Sequence, residues 1–333
     1  MNRSVVLGVG RFVPERVVTN QELTQWMDTS DEWIFERTGI RQRRWVDKET
    51  GASDLAERAS REAIARAGLL PADIEAIVFA TLSPDYNFPG SGCLLQNQLG
   101  LPGIPALDVR NQCSGFIYGL SVADAWIRCG QYRRVLLVGA EVHSTGLDVT
   151  TRGRDIACLF GDGAGAMVVG AAEAGESRGV LSTHLHADGS HATDLWLEAP
   201  ASRYFPQRLT AAMLEEGRHF PRMKGRQVFT HAVLRMPEVI HEALEKNDLK
   251  LEDIKLFVPH QANQRINEMV ARDLAIPPER MFSNIDRYGN TTAASIPLAL
   301  SEAEQQGLIN RGDLILLVSF GAGFTWASAV IRW

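Results

Sequence analysis

A chain that matches itself at one fixed spacing is confined to folds built from two copies of a unit, and this chain does so at 180 residues. Glu62-Ala-Ile-Ala-Arg-Ala-Gly-Leu69-Leu-Pro-Ala-Asp73-Ile-Glu-Ala-Ile-Val78 aligns with Glu242-Ala-Leu-Glu-Lys-Asn-Asp-Leu249-Lys-Leu-Glu-Asp253-Ile-Lys-Leu-Phe-Val258, a step of 180 residues from Val78 to Val258. The apolar run Val135-Leu-Leu-Val138 returns as Ile315-Leu-Leu-Val318, and Leu120-Ser-Val-Ala123 as Leu300-Ser-Glu-Ala303, both at the same step. Three matches at one spacing mark a duplication. Each copy alternates helical and strand-like patterns, which predicts α/β layers with sheets buried between helices. We place the halves at residues 1–172 and 173–333, with a Pro- and Gly-interrupted excursion over 196–226 that allows only a short helix at Leu209–Glu216. Two halves packed side by side bring equivalent strand ends to a pseudo-twofold interface, a natural place for a site.

The 333 residues carry a net charge of -6, which excludes a general nucleic-acid binder. No run approaches the ~18 apolar residues of a membrane span, and the opening Met1–Gly10 stretch is too short for a signal peptide. A cytoplasmic location is expected. The four cysteines, Cys93, Cys113, Cys129 and Cys158, form no Cys-x-x-Cys pair, in keeping with a reducing compartment.

Cys113 stands where the run Pro105–Val109 gives way to a helical pattern over Ser114–Cys129. The first N–H groups and the dipole of a helix stabilise a thiolate, so this position predicts a thiol pKa below that of a free cysteine. Gly115 and Gly119 leave one helix face bare for a substrate or another backbone. Alone, Cys113 reads equally as a buried small hydrophobe. Two further corners change the balance. Lys255–Val258 delivers His260 ahead of a helix over Gln264–Leu274, and a strand-like Met281–Ile285 leads to Asn290 ahead of a helix over Thr291–Gln306. A nucleophile with two neutral hydrogen-bonding partners is thereby assembled from opposite halves. His184, His186 and His191 have no cysteine or carboxylate at ligand spacing, so no metal site is expected. The Gly-rich Phe160–Gly165 runs into a strand, against a dinucleotide site. Thr29-Ser-Asp-Glu32 reads as a capping box with Thr29 at the cap. The arginines and tryptophans of residues 33–45 form either a phosphate-and-base cradle or a solvated basic turn.

The motifs Asn111-Gln-Cys113-Ser-Gly-Phe, Val258-Pro-His260-Gln-Ala-Asn263, Tyr288-Gly-Asn290-Thr-Thr-Ala-Ala-Ser, Phe160-Gly-Asp-Gly-Ala-Gly, Phe320-Gly-Ala-Gly-Phe-Thr-Trp and Thr29-Ser-Asp-Glu-Trp33-Ile-x-x-Arg37-Thr-Gly-Ile-Arg41 resemble those of the β-ketoacyl-acyl carrier protein synthase III family. The resemblance implies the thiolase fold, a duplicated five-layered α-β-α-β-α architecture, and a homodimer. It implies that Cys113 takes an acyl group from acyl-CoA, that malonyl-acyl carrier protein follows, and that His260 and Asn290 hold its thioester oxygen while carbon dioxide leaves. The N–H groups of Cys113 and Ala322 would form a second oxyanion hole. By the same resemblance Trp33 and Arg152 would sandwich the CoA adenine with Arg37 nearby, and Asn263 and Phe320 would line the channel. Arg265 would help dock the acidic carrier, and Phe88 would bound the acyl pocket of the neighbouring subunit. No cofactor beyond the CoA thioesters is implied. The polar Asn111-Gln112 and a 196–226 excursion longer than that of the housekeeping enzymes depart from the pattern, so a primer other than acetyl is allowed. The rival readings are a non-decarboxylating acyl-CoA condensing enzyme, an acyltransferase to a hydroxyl or amine, and a non-catalytic partner of a homologue.

Overall fold

The structure, a computed structural model, describes residues 3–47 and 49–333. Its first sheet runs in the order Ser4–Phe12, Gly163–Ala171, Arg134–Glu141, Ala76–Ala80, Ala106–Val109. The second runs Leu256–Pro259, Leu314–Gly321, Thr325–Arg332, Gly179–Ala187. The duplication is visible in the register. Ala76 pairs with Val135 and Ile77 with Leu136, while 180 residues later Leu256 pairs with Ile315 and Phe257 with Leu316, all in parallel. The first sheet's edge strand Ala106–Val109 has only a single parallel bridge, Phe257 to Met281, as its counterpart. The predicted strand Met281–Ile285 is therefore absent. The N–H of buried Asn284 goes to the Gln261 side chain at 3.2 Å instead of to a ladder, and Ile285–Tyr288 coils into a helical turn.

The strands read as continuous apolar runs because both faces are covered, and alternate residues serve different layers. Val78 and Leu137 join Val258 and Leu317 in a core between the sheets, around Phe116, Ile117, Leu120, Ile296 and Leu300. Ile77, Phe79, Leu136 and Val138 point the other way, onto Leu55, Ala59 and Ile64 of helix Ala52–Arg66. Leu316 and Val318 likewise pack on Val239, Ile240 and Val270 of the outer helices Gly225–Lys246 and Gln264–Asp273. With Gly115–Arg128 and Ser295–Gln305 in the middle, the layers are α-β-α-β-α, the thiolase fold.

Local signals are mostly where the chain pattern puts them, with two shifts. The helix Asp31–Thr38 is capped by Ser30, whose hydroxyl accepts the Trp33 N–H at 3.0 Å; Thr29 lies one residue too early for that geometry. Residues 196–226 are closed at their base by a two-residue ladder, Trp196 to Arg222 and Leu195 to Met223, with a helical turn at Ala211–Glu215. Among the described residues no helix is long and apolar enough to cross a membrane.

Candidate active site

Two elbows that open into helices pack against each other. In the first, strand Ala106–Val109 leads to a single 3₁₀ turn, Gln112–Ser114, that feeds helix Gly115–Arg128. In the second, the turn Thr292–Ala294 feeds helix Ser295–Gln305. The opening residues of the two turns, Gln112 and Thr292, are 180 apart and both adopt positive φ, 42° and 48°. Such a conformation costs a non-glycine residue about 1–2 kcal/mol, so packing holds both elbows in it. Cys113 follows Gln112; in the second elbow Ala293 takes that place. Duplication thus preserved the turn and left one nucleophile.

Cys113 is 6% exposed, and its thiol is pushed up to about 12 by burial, with the Glu141 carboxylate adding to the shift. The N–H groups of Ala322 and of Cys113 itself act in the opposite direction. Burial wins, so the lowered thiol pKa expected from the helix position is not realised: the turn precedes the helix, and removing an anion from water costs more than two N–H donors return. The resting thiol is protonated. Gly321 makes room for it, since a Cβ there would lie 2.5 Å from Cys113 Cβ and 2.7 Å from Sγ. Gly115 and Gly119 serve packing, not substrate: added Cβ atoms would meet Ala80 and Ala293, and Leu137 and Val78.

His260 continues the strand Leu256–Pro259, its N–H donating to Val318 O at 2.8 Å. Burial holds its imidazole neutral, with the pKa lowered to about 3. Nδ1 lies 2.6 Å from Ser295 Oγ, and Nε2 is buried with no hydrogen-bond partner among the described residues. Asn290 is fixed by its main chain, its N–H donating to Leu159 O and its carbonyl accepting from Gly161 N–H. Asn290 Oδ1 accepts the Thr292 N–H at 2.8 Å; because a backbone N–H can only donate, the amide nitrogen of Asn290 is the end left for a ligand. Both Asn290 and His260 are therefore neutral, and each keeps one side-chain nitrogen unpaired with the protein.

One cavity of about 690 Å³ is lined by Cys113, Asn290, Trp33, Arg37, Asn263 and Phe320 among others; His260 is not among its lining residues, although Ala262 and Asn263 after it are. Asn263 also caps helix Gln264–Asp273, Oδ1 accepting from Arg265 N–H, while Nδ2 donates to Arg37 O. Arg37 and Arg154 lie over the Trp33 ring at 4.4 and 5.0 Å, an aromatic face held by two cations. Arg152, Phe88 and Arg265 do not line the cavity. Arg152 is turned to Asp148, 2.6 Å from Nε, and toward Phe220. Phe88 is 82% exposed. The basic and aromatic run of residues 33–45 divides: Trp33 and Arg37 face the cavity, whereas Arg43 is buried on Val18 O, Asn20 Oδ1 and Cys158 O and Trp45 Nε1 donates to Phe160 O.

Four residues near the site carry no sequence signal of their own. His143, 7% exposed and lowered to about 3 by burial and by His260, lies 2.7 Å from Thr292 Oγ1 and lines the cavity. Glu141, raised to about 7 by burial, accepts from the Thr81 hydroxyl and from the N–H groups of Leu82, Ser83 and Ala293, tying the second elbow to the loop beside the cavity. Arg154 takes the place on Trp33 expected for Arg152. Ser295 sits inside the quoted Tyr288–Ser295 motif, but only the fold brings it to His260.

Family models for 3-oxoacyl-[acyl-carrier-protein] synthase III match residues 107–189, and for its C-terminal part residues 244–333. The beta-ketoacyl-[acyl-carrier-protein] synthase III of Rhodospirillum centenum is 47% identical, over 99% of both chains. That of Rhizorhabdus wittichii is 46% identical over 333 residues, 100% of both. The crystal structure of 3-oxoacyl-[acyl-carrier-protein] synthase III from Aquifex aeolicus superposes with a TM-score of 0.90 at 42% identity, over 99% of this chain and 100% of that one. With near-half identity along its whole length, the same fold and an intact set of motifs, the chain belongs to the β-ketoacyl-acyl carrier protein synthase III family of condensing acyltransferases.

Proposed function

We propose that the protein joins an acyl-CoA primer to malonyl-acyl carrier protein by decarboxylative Claisen condensation, the step that initiates fatty-acid synthesis. The observation that carries this is a buried, protonated thiol sharing one cavity with the amide nitrogen of Asn290, while neutral His260, its Nε2 unpartnered among the described residues, lies behind the cavity-lining His143. First the Cys113 sulfur attacks the primer's thioester carbonyl, its proton leaves, and CoA departs as the thiol. The Ala322 and Cys113 N–H groups meet the oxyanion of that step. Then malonyl thioester enters, its carboxylate carbon–carbon bond breaks to release carbon dioxide, and the electron pair becomes an enolate. Asn290 and His260 hydrogen-bond the enolate oxygen. Its carbon attacks the acyl-Cys113 carbonyl, and the sulfur leaves and takes up a proton. Neutral partners suit this chemistry, since a cation would hold the malonyl carboxylate in place as its ion pair.

Trp33 with Arg37 and Arg154 is the proposed seat of the CoA adenine, and Arg265, exposed on helix Gln264–Asp273, a contact for the acidic carrier. Exposed Phe88 and the free edge of strand Ala106–Val109 suit a homodimer in which Phe88 closes the partner's acyl pocket. The reaction needs no cofactor, and we place the enzyme in the cytoplasm. A non-decarboxylating condensation would need a carboxylate base beside the primer. The nearest acid in that loop, Asp85, is taken up by the N–H and hydroxyl of Ser53 and does not line the cavity. The test is intact-protein mass spectrometry with acyl-CoAs of two to sixteen carbons, followed by malonyl-acyl carrier protein. An acyl mass on Cys113, absent in Cys113→Ala and discharged as a β-ketoacyl product with carbon dioxide, is expected; discharge only by a hydroxyl or amine acceptor would overturn the assignment.

A further inference from the structure

A neutral histidine donates from Nε2 only if its proton is on Nε2, and the pocket by itself does not enforce this, because Nε2 has no partner among the described residues. The constraint has to come from the other nitrogen. Nδ1 faces a single group, the Ser295 hydroxyl at 2.6 Å. That hydroxyl has a second neighbour, the Gln261 N–H, which donates to Oγ at 3.4 Å. Two arrangements are then available. If Nδ1 carried the proton, Oγ would accept from both Nδ1 and Gln261, its own hydrogen would have no recorded acceptor among the described residues, and Nε2 would be a buried acceptor without a partner. If Nε2 carries the proton, the hydroxyl accepts from Gln261 and donates to Nδ1, so every group is used except the one aimed at substrate. The first arrangement leaves two buried groups unpaired, the hydroxyl hydrogen and Nε2, and the second only Nε2–H; each unpaired buried group costs about 1–3 kcal/mol, which favours the second.

We propose that Ser295 is a positioning residue that holds His260 as its Nε2–H tautomer by donating to Nδ1, and so makes it a hydrogen-bond donor toward the thioester oxygen. The second elbow then orients both donors: Thr292 N–H takes Asn290 Oδ1 and leaves the amide nitrogen for substrate, and Ser295 O–H takes His260 Nδ1 and leaves Nε2–H. The elbow that carries Ala293 where the first has Cys113 is the device that aims the donors. A consequence is that resting His260 offers the Cys113 thiol no lone pair from Nε2. The inference rests on the proposed condensation only for its kinetic arm.

The tautomer itself is read by nitrogen NMR of protein labelled with ¹⁵N-histidine, the His260 signals being those lost in His260→Asn. The expected result is one pyrrole-type nitrogen, Nε2, and one pyridine-type nitrogen, Nδ1. Ser295→Ala should mix or invert this pattern, and Ser295→Thr, which keeps the hydroxyl, should preserve it. In parallel, Ser295→Ala should slow decarboxylation of malonyl thioester by tenfold or more, toward the roughly 10²–10³-fold cost of losing a whole oxyanion donor, and Ser295→Thr should restore it. A wild-type Nδ1–H pattern, or an Ser295→Ala pattern identical to wild type in a folded protein, overturns the inference. A tautomer shift without any condensing activity in the wild type would instead refute the function and leave the role of Ser295 standing.

Discussion

Substituting Gly321 by alanine should disable the nucleophile without replacing any reacting group. Gly321 ends strand Leu314–Gly321 with no positive φ, so alanine is acceptable to the backbone. Its Cβ, however, would lie 2.5 Å from Cys113 Cβ and 2.7 Å from Sγ, against the ~3.5–4.0 Å at which such atoms rest. About 1 Å of movement is needed. The elbow cannot simply recede, because Ser114 Oγ is tied to Thr325 O at 3.2 Å and Gly321 pairs with that same Thr325. Overpacking of this kind costs about 1–3 kcal/mol, and a 1 Å misplacement of a reacting atom about 10²-fold in rate. Single-turnover acylation followed by intact mass should therefore fall by about two orders of magnitude, with the Tm by circular dichroism down by only a few degrees. Gly146→Ala, where an added Cβ meets nothing within 4 Å, is the control and should match wild type. Acylation of Gly321→Ala within twofold of wild type would show that the elbow yields and that close approach does not place the thiol.

Other perturbations separate the remaining parts of the site. Asn290→Ala should lose about 10²–10³-fold in condensation while Cys113 is still acylated, as mass spectrometry can show; equal loss in both steps would assign Asn290 elsewhere. Trp33→Ala should raise KM for acyl-CoA several-fold with kcat little changed, measured by CoA release. Because the Cys113 thiol titrates near 12, its alkylation by iodoacetamide should rise about tenfold per pH unit through pH 8–10, and a plateau near pH 7 would refute the protonated resting state. His143 and His260 have folded pKa values of about 3, below their unfolded value of about 6.5, so their contribution to stability is complete above pH 6.5 and is lost as pH falls toward 3. At pH 5 each should cost about 2 kcal/mol, and urea unfolding of His143→Phe should show a shallower loss between pH 7 and 5 than wild type.

What could be read before folding was whatever depends on spacing along the chain. The 180-residue step between Val78 and Val258 reappears as the same strand pairing, Ala76 with Val135 and Leu256 with Ile315, because two copies of one unit repeat its pairing. Cys113, His260 and Asn290 were recognisable as corners ahead of helices, since the switch from apolar run to helical period is a local pattern, although the segment before Asn290 proved to be a helical turn and not a strand. Their chemistry was not, because it depends on neighbours far away in the chain. Position ahead of a helix argued for a thiolate, yet burial by strands from both halves and the carboxylate of Glu141 protonate it. Arg152 and Arg154 are indistinguishable by pattern, and only packing against Asp148 and Trp33 sorts them. Ser295 is 35 residues from His260 and reaches it across two elbows. Periodicity and duplication determined the layers and the corners; desolvation and through-space hydrogen bonding, which no spacing encodes, decided protonation and the direction in which each donor points.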